Sequence, residues 1–347
     1  MLKILTKIKG VKLMYRLLKV FVFFSISMLI TGTSVAQDAQ FSQFYANPLY
    51  LNPAFAGSVE CGRINLNYRN QWPSLSNAFV TYNISYDQNI PGINSGIGFL
   101  VVSDQQGDNA LNRTYASGFY SYKLKVSTPL LINFGIKATY YQEKLDWQKF
   151  VFNDQIDPTT GNITGPSQET PPAKNQITAV DFSAGAIVSY TDKFFFGVAV
   201  DHLTEPNISF YDTDSKLPMK ITVHGGATIN VTQGTVGYAN ANDWVLQPNF
   251  LFLQQEKFHQ LNLGIYASKY PFVLGGWFRH NFQNPDAVIV LAGFIYNNLK
   301  FGYSYDATVS NIGGKAGGAH EISFSWNFCV YKQEKRRHIR AIKSPSF

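Results

Sequence analysis

Glu321-Ile322-Ser323-Phe324-Ser325-Trp326-Asn327-Phe328 decides the fold. Ile322, Phe324, Trp326 and Phe328 alternate with Glu321, Ser323, Ser325 and Asn327, and a period of two puts the two sets on opposite faces of one strand. The same pattern recurs along the chain. Ile64, Leu66 and Tyr68 alternate with Arg63, Asn65, Asn67 and Arg69; Val80, Tyr82, Ile84 and Tyr86 with Thr81, Asn83 and Ser85; Phe301, Tyr303 and Tyr305 with Gly302, Ser304 and Asp306. Segments of this kind are expected near 61–70, 78–88, 93–103, 111–125, 130–142, 178–190, 193–202, 220–231, 244–254, 258–268, 271–281, 286–297, 298–309 and 319–330. A tilted strand of about 9–11 residues crosses a bilayer, and single-chain bacterial outer-membrane barrels carry an even number of them. The expectation is an all-β fold: a transmembrane antiparallel up-and-down β-barrel of about 14 strands, residues 61–331.

Composition agrees. Of 347 residues 45% are hydrophobic, 15% aromatic and only 15% charged, with 20 Tyr and 28 Phe. An average soluble domain has about 25% charged residues. No apolar run after Ala36 is long enough for a membrane-spanning helix, and the mean hydropathy is −0.09. A secreted β-sandwich also alternates, but it does not call for so many aromatics on one face. The net charge of +7 comes from the two ends. Lys3, Lys7, Lys9, Lys12, Arg16 and Lys19 precede an apolar run from Val20 to Ile30 and the small residues Ser34-Val35-Ala36. This is the layout of a secretory signal, residues 1–36, with cleavage expected after Ala36. A second basic group, Lys332, Lys335, Arg336, Arg337, Arg340 and Lys343, makes a tail over 332–347. Between them, residues 37–331 are slightly acidic, so no nucleic-acid partner is expected.

Connection lengths set the orientation. If the first strand runs outward, the inner turns Gln88–Gly92, Val126–Pro129, Tyr190–Lys193, Ser268–Pro271 and Asn297–Lys300 are short. The outer connections 103–111, 143–177, 203–219 and 306–318 are mostly longer, the asymmetry of outer-membrane barrels. Two connections break the pattern: Thr232 to Asp243 is long for an inner turn, and Gln255 to Lys257 is short for an outer loop. With an even strand count the tail lies in the periplasm, facing anionic headgroups or an acidic periplasmic protein.

Between signal and barrel, residues 37–60 are not strand-like. Gln40 to Gly57 reads QFSQFYANPLYLNPAFAG, with Asn47-Pro48 and Asn52-Pro53 forcing turns or helix starts. Phe41, Phe44, Tyr45, Leu49, Tyr50, Leu51 and Phe55 are too apolar for a free linker, so a packed plug or inner-end lid is expected, placed by Phe41, Phe44, Asn47, Pro48, Asn52 and Pro53. This stretch resembles the N-terminal signature of the PorP/SprF family of type IX secretion proteins. Three further stretches resemble it in order: Tyr68-Arg69-Asn70-Gln71-Trp72-Pro73, Phe301-Gly302-Tyr303-Ser304-Tyr305-Asp306 and Gly317-Gly318-Ala319-His320-Glu321-Ile322-Ser323. The resemblance implies an outer-membrane location and a role in secretion, surface attachment or gliding. It implies as partners a secreted adhesin with a type-B sorting domain, a periplasmic type IX component and outer-membrane lipid. The basic tail departs from barrels that end near a terminal strand aromatic, here Phe328. Asn52-Pro53-Ala54 is also similar to fatty-acid-channel barrels, and the alternative is a channel for hydrophobic small molecules.

No enzyme is expected and no cofactor or metal. There is no Gly-x-Ser-x-Gly elbow, Gly313-Gly314-Lys315 lacks the phosphate-loop frame, and the six histidines show no zinc spacing. The adjacent pairs Asp201-His202 and His320-Glu321 should point to opposite faces of their strands. The long proline-rich connection 143–177 is the partner-binding candidate, with Trp147, Phe150 and Phe152 at its start. Cys61 opens the first strand and Cys329 closes the last. Closure makes these strands neighbours and both residues share parity with lumen positions, so two readings stand: a disulfide across the seam in an oxidising compartment, or two unrelated cysteines a few residues out of register.

Overall fold

The computed structural model describes residues 38–75, 79–191, 193–211, 213–237, 240, 242–282, 284–309 and 317–329. The chain divides into two units, Met1–Asp38 and Ala39–Phe347, and the second is a closed antiparallel barrel. The signal and the basic tail lie outside the described residues. Among the described residues sixteen strands run in chain order: β1 (Gly62–Gln71), β2 (Phe79–Ile90), β3 (Ser95–Gln106), β4 (Leu111–Lys125), β5 (Leu130–Leu145), β6 (Gln176–Tyr190), β7 (Phe194–Asp201), β8 (Lys220–Ala227), β9 (Ile229–Asn230), β10 (Thr235–Val236), β11 (Val245–Gln255), β12 (Phe258–Lys269), β13 (Phe272–His280), β14 (Pro285–Tyr296), β15 (Leu299–Thr308) and β16 (Ala319–Phe328). β9 and β10 form a small hairpin, and the other fourteen make the wall. Each wall strand pairs with its chain neighbours, β8 pairing directly with β11. The wall closes where β1 meets β16, in register from Gly62↔Phe328 to Gln71↔Ala319.

The burial pattern is inside-out relative to a soluble protein. In β2 Thr81, Asn83, Ser85 and Asp87 are buried, while Tyr82 (47% exposed) and Ile84 (50%) face outward, as does Ile136 of β5 (60%). Apolar side chains around the whole outer face of a closed sheet need a lipid surround. The fourteen expected segments coincide with the wall strands to within a few residues.

Both irregular connections have a physical origin. The span expected as one strand over 220–231 breaks at Thr228, whose N–H donates to the Lys193 carbonyl at 2.9 Å. The chain then makes the β9–β10 hairpin, and β9 pairs with the start of β11 through Asn230↔Val245 and Ile229↔Leu246. The short Gln255 to Phe258 connection is a two-residue turn with Glu256 at φ 50°, joining two strands paired along their full length. At the end of the barrel carrying the short turns, Asn94, Thr191 and Asn297 take the left-handed conformation that a tight reversal needs, one asparagine tolerates well.

One expectation is corrected. Asp201 and His202 do not face opposite ways: both are buried. β7 ends at Asp201, and His202 at φ 60° has left strand geometry. The turn swings its ring inward, where Nδ1 lies 2.8 Å from Asp181 Oδ2.

Candidate functional site

Residues 41–58 lie inside the barrel. All are buried except Tyr50, which is half-buried. The two Asn-Pro steps shape the segment. Proline at the first helical position is pre-set for a helix start, and each step opens one short turn, Pro48–Leu51 and Pro53–Phe55. The Asn52 carboxamide oxygen caps the second by accepting from Ala54 N–H at 2.9 Å. The wall leaves room for this backbone by carrying glycine under it. A Cβ on Gly135 would sit 2.3 Å from Ala54 N, and one on Gly185 2.2 Å from Asn52 Oδ1. Gly57 itself, at φ 60°, passes so close to Gly96 that a Cβ would lie 2.7 Å from its Cα.

Apolar contact fills the middle of the lumen. Phe44, Tyr45, Leu51 and Phe55 pack with Ile187, Phe195, Tyr266 and Trp277 in one core. Ring centroids are 5.2 Å apart for Phe44–Trp277 and 5.7 Å for Tyr45–Phe195, edge-on as aromatic quadrupoles prefer. His224 stacks on Phe55 at 5.6 Å, and its Nε2 lies 3.2 Å from Asn52 Nδ2.

Two polar clamps hold the ends of the segment. Near the long-loop end, Glu321 accepts from Ser42 N–H at 2.6 Å and Gln43 N–H at 3.2 Å, and its carbonyl accepts from Gln43 Nε2 at 2.9 Å. Arg69 donates to Ser42 Oγ at 2.7 Å and pairs with Asp306 at 3.1 Å and Glu321 at 3.3 Å. Arg279 pairs with Asp306 at 3.0 Å and donates to Ser42 Oγ at 2.7 Å. Two guanidinium groups and two carboxylates therefore surround one serine with their charges balanced. At the short-turn end Arg63 pairs with Asp87 at 2.8 Å, Asp87 accepts from Gly57 N–H at 2.9 Å, Lys123 donates to the Gly57 carbonyl, and Ser121 Oγ donates to the Ala56 carbonyl at 2.6 Å. The segment thus runs the lumen from the height of Arg69 down to the rim where β1 begins. It is a plug inside the barrel, and wall glycines make room for its lower half, from Asn52 to Gly57.

The four stretches that carried the family resemblance meet at the upper clamp. Ser42 and Gln43 come from the first, Arg69 from the second, Asp306 from the third and Glu321 from the fourth. Phe41, Phe44, Asn47, Pro48, Asn52 and Pro53 are all within this buried segment. Arg279, Asp87, Lys123 and His224 were not singled out in the sequence. The one signal was parity: each is a polar residue at a lumen position of its strand.

The other candidates lie elsewhere. Trp147, Phe150 and Phe152 form a ring cluster on the 145–176 loop, with centroids 4.7 Å apart for Trp147–Phe152 and 6.2 Å for Trp147–Phe150. The loop start is a single 3-10 turn, Trp147–Lys149, tied down by Asp146 N–H to the Ala110 carbonyl at 2.8 Å and Lys149 Nζ to the Asp108 carbonyl at 2.7 Å. Beyond it, Ile156 bridges Ile163, and Asp154 accepts from Ser167 Oγ at 2.9 Å and Gln168 N–H at 2.5 Å. At the short-turn rim Cys61 and Cys329 are joined as a disulfide, Cα atoms 4.8 Å apart and 268 residues apart in sequence.

Comparison with known proteins gives the family. The description "Type IX secretion system membrane protein PorP/SprF" matches residues 33–326. No curated protein matches the chain. Similar solved structures are outer-membrane barrels. The toluene transporter TbuX of Ralstonia pickettii is 10% identical with a TM-score of 0.48, covering 86% of this chain and 96% of its own. The P. putida toluene transporter TodX is 10% identical with a TM-score of 0.47, covering 81% and 93%. A Pseudomonas aeruginosa FadL homologue is 12% identical with a TM-score of 0.36, covering 77% and 90%. With the family matched over most of its length and its four signature stretches folded onto one clamp, the chain belongs to the PorP/SprF family of type IX secretion system membrane proteins.

Proposed function

We propose that the protein is a non-enzymatic scaffold in the outer membrane. It holds a secreted adhesin carrying a type-B sorting domain at the long-loop end, which faces outward, or couples to a periplasmic type IX component. The observation that carries this reading is the plug. A lumen occupied by residues 41–58 and clamped at both ends supports binding on the outside of the closed body rather than passage through it. The Trp147–Phe150–Phe152 cluster, on a loop ordered by its own hydrogen bonds, supports a contact surface there. Detergent co-purification of the full tagged chain tests this, with a type-B adhesin or a periplasmic secretion component expected to be retained. Deleting 155–175 should leave the barrel folded and reduce adhesin retention. Uptake of a hydrophobic small molecule by the purified, partner-free protein in vesicles would replace the scaffold with a channel.

A further inference from the structure

β4, β5 and β6 are the longest strands of the wall, and β6 outruns its neighbour on one side. It pairs with β5 from Leu130↔Tyr190 up to Lys144↔Gln176, but with β7 only from Tyr190↔Phe194 to Ala184↔Val200. About ten residues take a tilted strand across the bilayer, and Tyr190 back to Asp181 is ten, so Gln176–Val180 lies at and beyond the margin of the apolar band, and among the described residues no strand pairs with its other edge. Among the described residues, the chain leaving β7 bonds only to the base of that edge. Leu203 N–H donates to the Phe182 carbonyl at 3.0 Å, and Thr204 Oγ1 donates to the Val180 carbonyl at 3.4 Å. Both bonds show that even-numbered residues of β6 aim their backbone groups toward the open side. On the other side the Asn175 carbonyl accepts from Leu145 N–H of β5. By this alternation Thr178 points its N–H and C=O outward, together with the Val180 N–H and the Gln176 C=O. The side chains of Gln176, Thr178 and Val180 are exposed, Val180 by 59%.

We propose that this edge is a strand-addition site: an extended, acidic segment of the secreted partner pairs with Gln176–Val180 and extends the wall by one strand. This rests on the scaffold reading above. Unpaired strand groups specify the ligand, because only an extended backbone presents donors and acceptors at the matching repeat. Charge selects among extended chains. Lys174 precedes the edge and Lys144 pairs with Gln176 beside it, both exposed. Two copies of this chain meeting edge to edge would bring like charges together, whereas a strand bearing Asp or Glu meets opposite ones. The edge continues directly from the loop that carries the aromatic cluster, so one partner reaches both.

Hydrogen exchange of the full barrel in detergent reads the edge amide by amide. The probe is a capped octapeptide of alternating valine and threonine flanked by glutamates. Alone, the barrel should exchange Thr178 and Val180 quickly while Ile177 and Ala179, bonded to β5, stay protected. The peptide should slow Thr178 and Val180 at least tenfold. Thr178→Pro removes the outward donor and leaves the bonds to β5 intact, so it should abolish the peptide's protection of Val180 and lower adhesin retention in cells. Thr178→Val should behave as wild type in both. Protection of Thr178 and Val180 without peptide, no slowing at millimolar peptide, or undiminished retention by Thr178→Pro each overturns the site. If the wild-type chain retains no secreted protein at all, the scaffold reading fails separately, and the exchange result still decides whether the edge accepts a strand.

Discussion

Replacing Arg69 with methionine removes one of the two cations of the upper clamp while keeping much of the side-chain volume. Arg69 is the cation paired with Glu321, and Arg279 pairs with Asp306. The side chains of Arg69, Asp306 and Glu321 are all at most 4% exposed, so solvent screening is slight. In Arg69→Met two carboxylates share one guanidinium, and Glu321 is left as a buried charge without a counterion. Breaking a buried pair from one side costs about 3–5 kcal/mol, and each 1.4 kcal/mol is about tenfold in an equilibrium. Opening of the upper plug should therefore become more frequent by roughly 10² to a few times 10³-fold. Glu321 accepts directly from the Ser42 and Gln43 amides, so hydrogen exchange at those two positions reports the opening. The double variant Arg69→Met/Glu321→Gln restores charge balance and should recover most of the protection, because removing both partners of a buried pair is far less costly than removing one. Unchanged exchange in Arg69→Met would refute the clamp, and a double variant worse than the single would refute charge balance as its basis.

Other outcomes are equally definite. Gly135→Val drives side-chain atoms into Pro53 and Ala54; the plug should leave the lumen, and planar-bilayer recordings should show a conducting barrel where the wild type is closed. Thiol alkylation of the unfolded, unreduced protein should label neither Cys61 nor Cys329 until a reductant is added, and two labels per chain would contradict the seam bond. Asp154 is held below the usual carboxylate range, first by the Gln168 N–H it accepts and then by Ser167 Oγ. The clasp it makes is thus fully present above its ordinary pKa of about 3.9 and lost as pH falls through the lowered one. The Gln168 amide should stay protected at about pH 4 and open only below it, and opening at higher pH would remove the clasp.

The wall of this barrel is legible in the chain because a strand's side-chain period is local. Alternation in 321–328 or 63–69 needs no partner to be seen, and it assigns each residue to lumen or lipid. The closure seam follows by the same logic, since β1 and β16 are the first and last strands of an even-numbered wall and must meet. His202 departs from the alternation because its orientation depends on where β7 stops, and β7 ends one residue before it, at Asp201. The strand-addition edge was likewise invisible. The length of β6 could be estimated, but not that β7 would fall short of it by half.

Only the tertiary structure decided what the lumen contains. Parity says that Arg69, Arg279, Asp306 and Glu321 face inward. It does not say at what height, because the tilt and stagger of the closed sheet set which strands share a level. Ser42 reaches Arg279 across 237 residues of sequence, and no local pattern encodes that distance. Apolar content and two Asn-Pro steps lead to the expectation of a packed segment over 37–60. That residues 41–58 fit inside the barrel depended on Gly135 and Gly185, far along the chain, leaving space where a single Cβ would have closed the way.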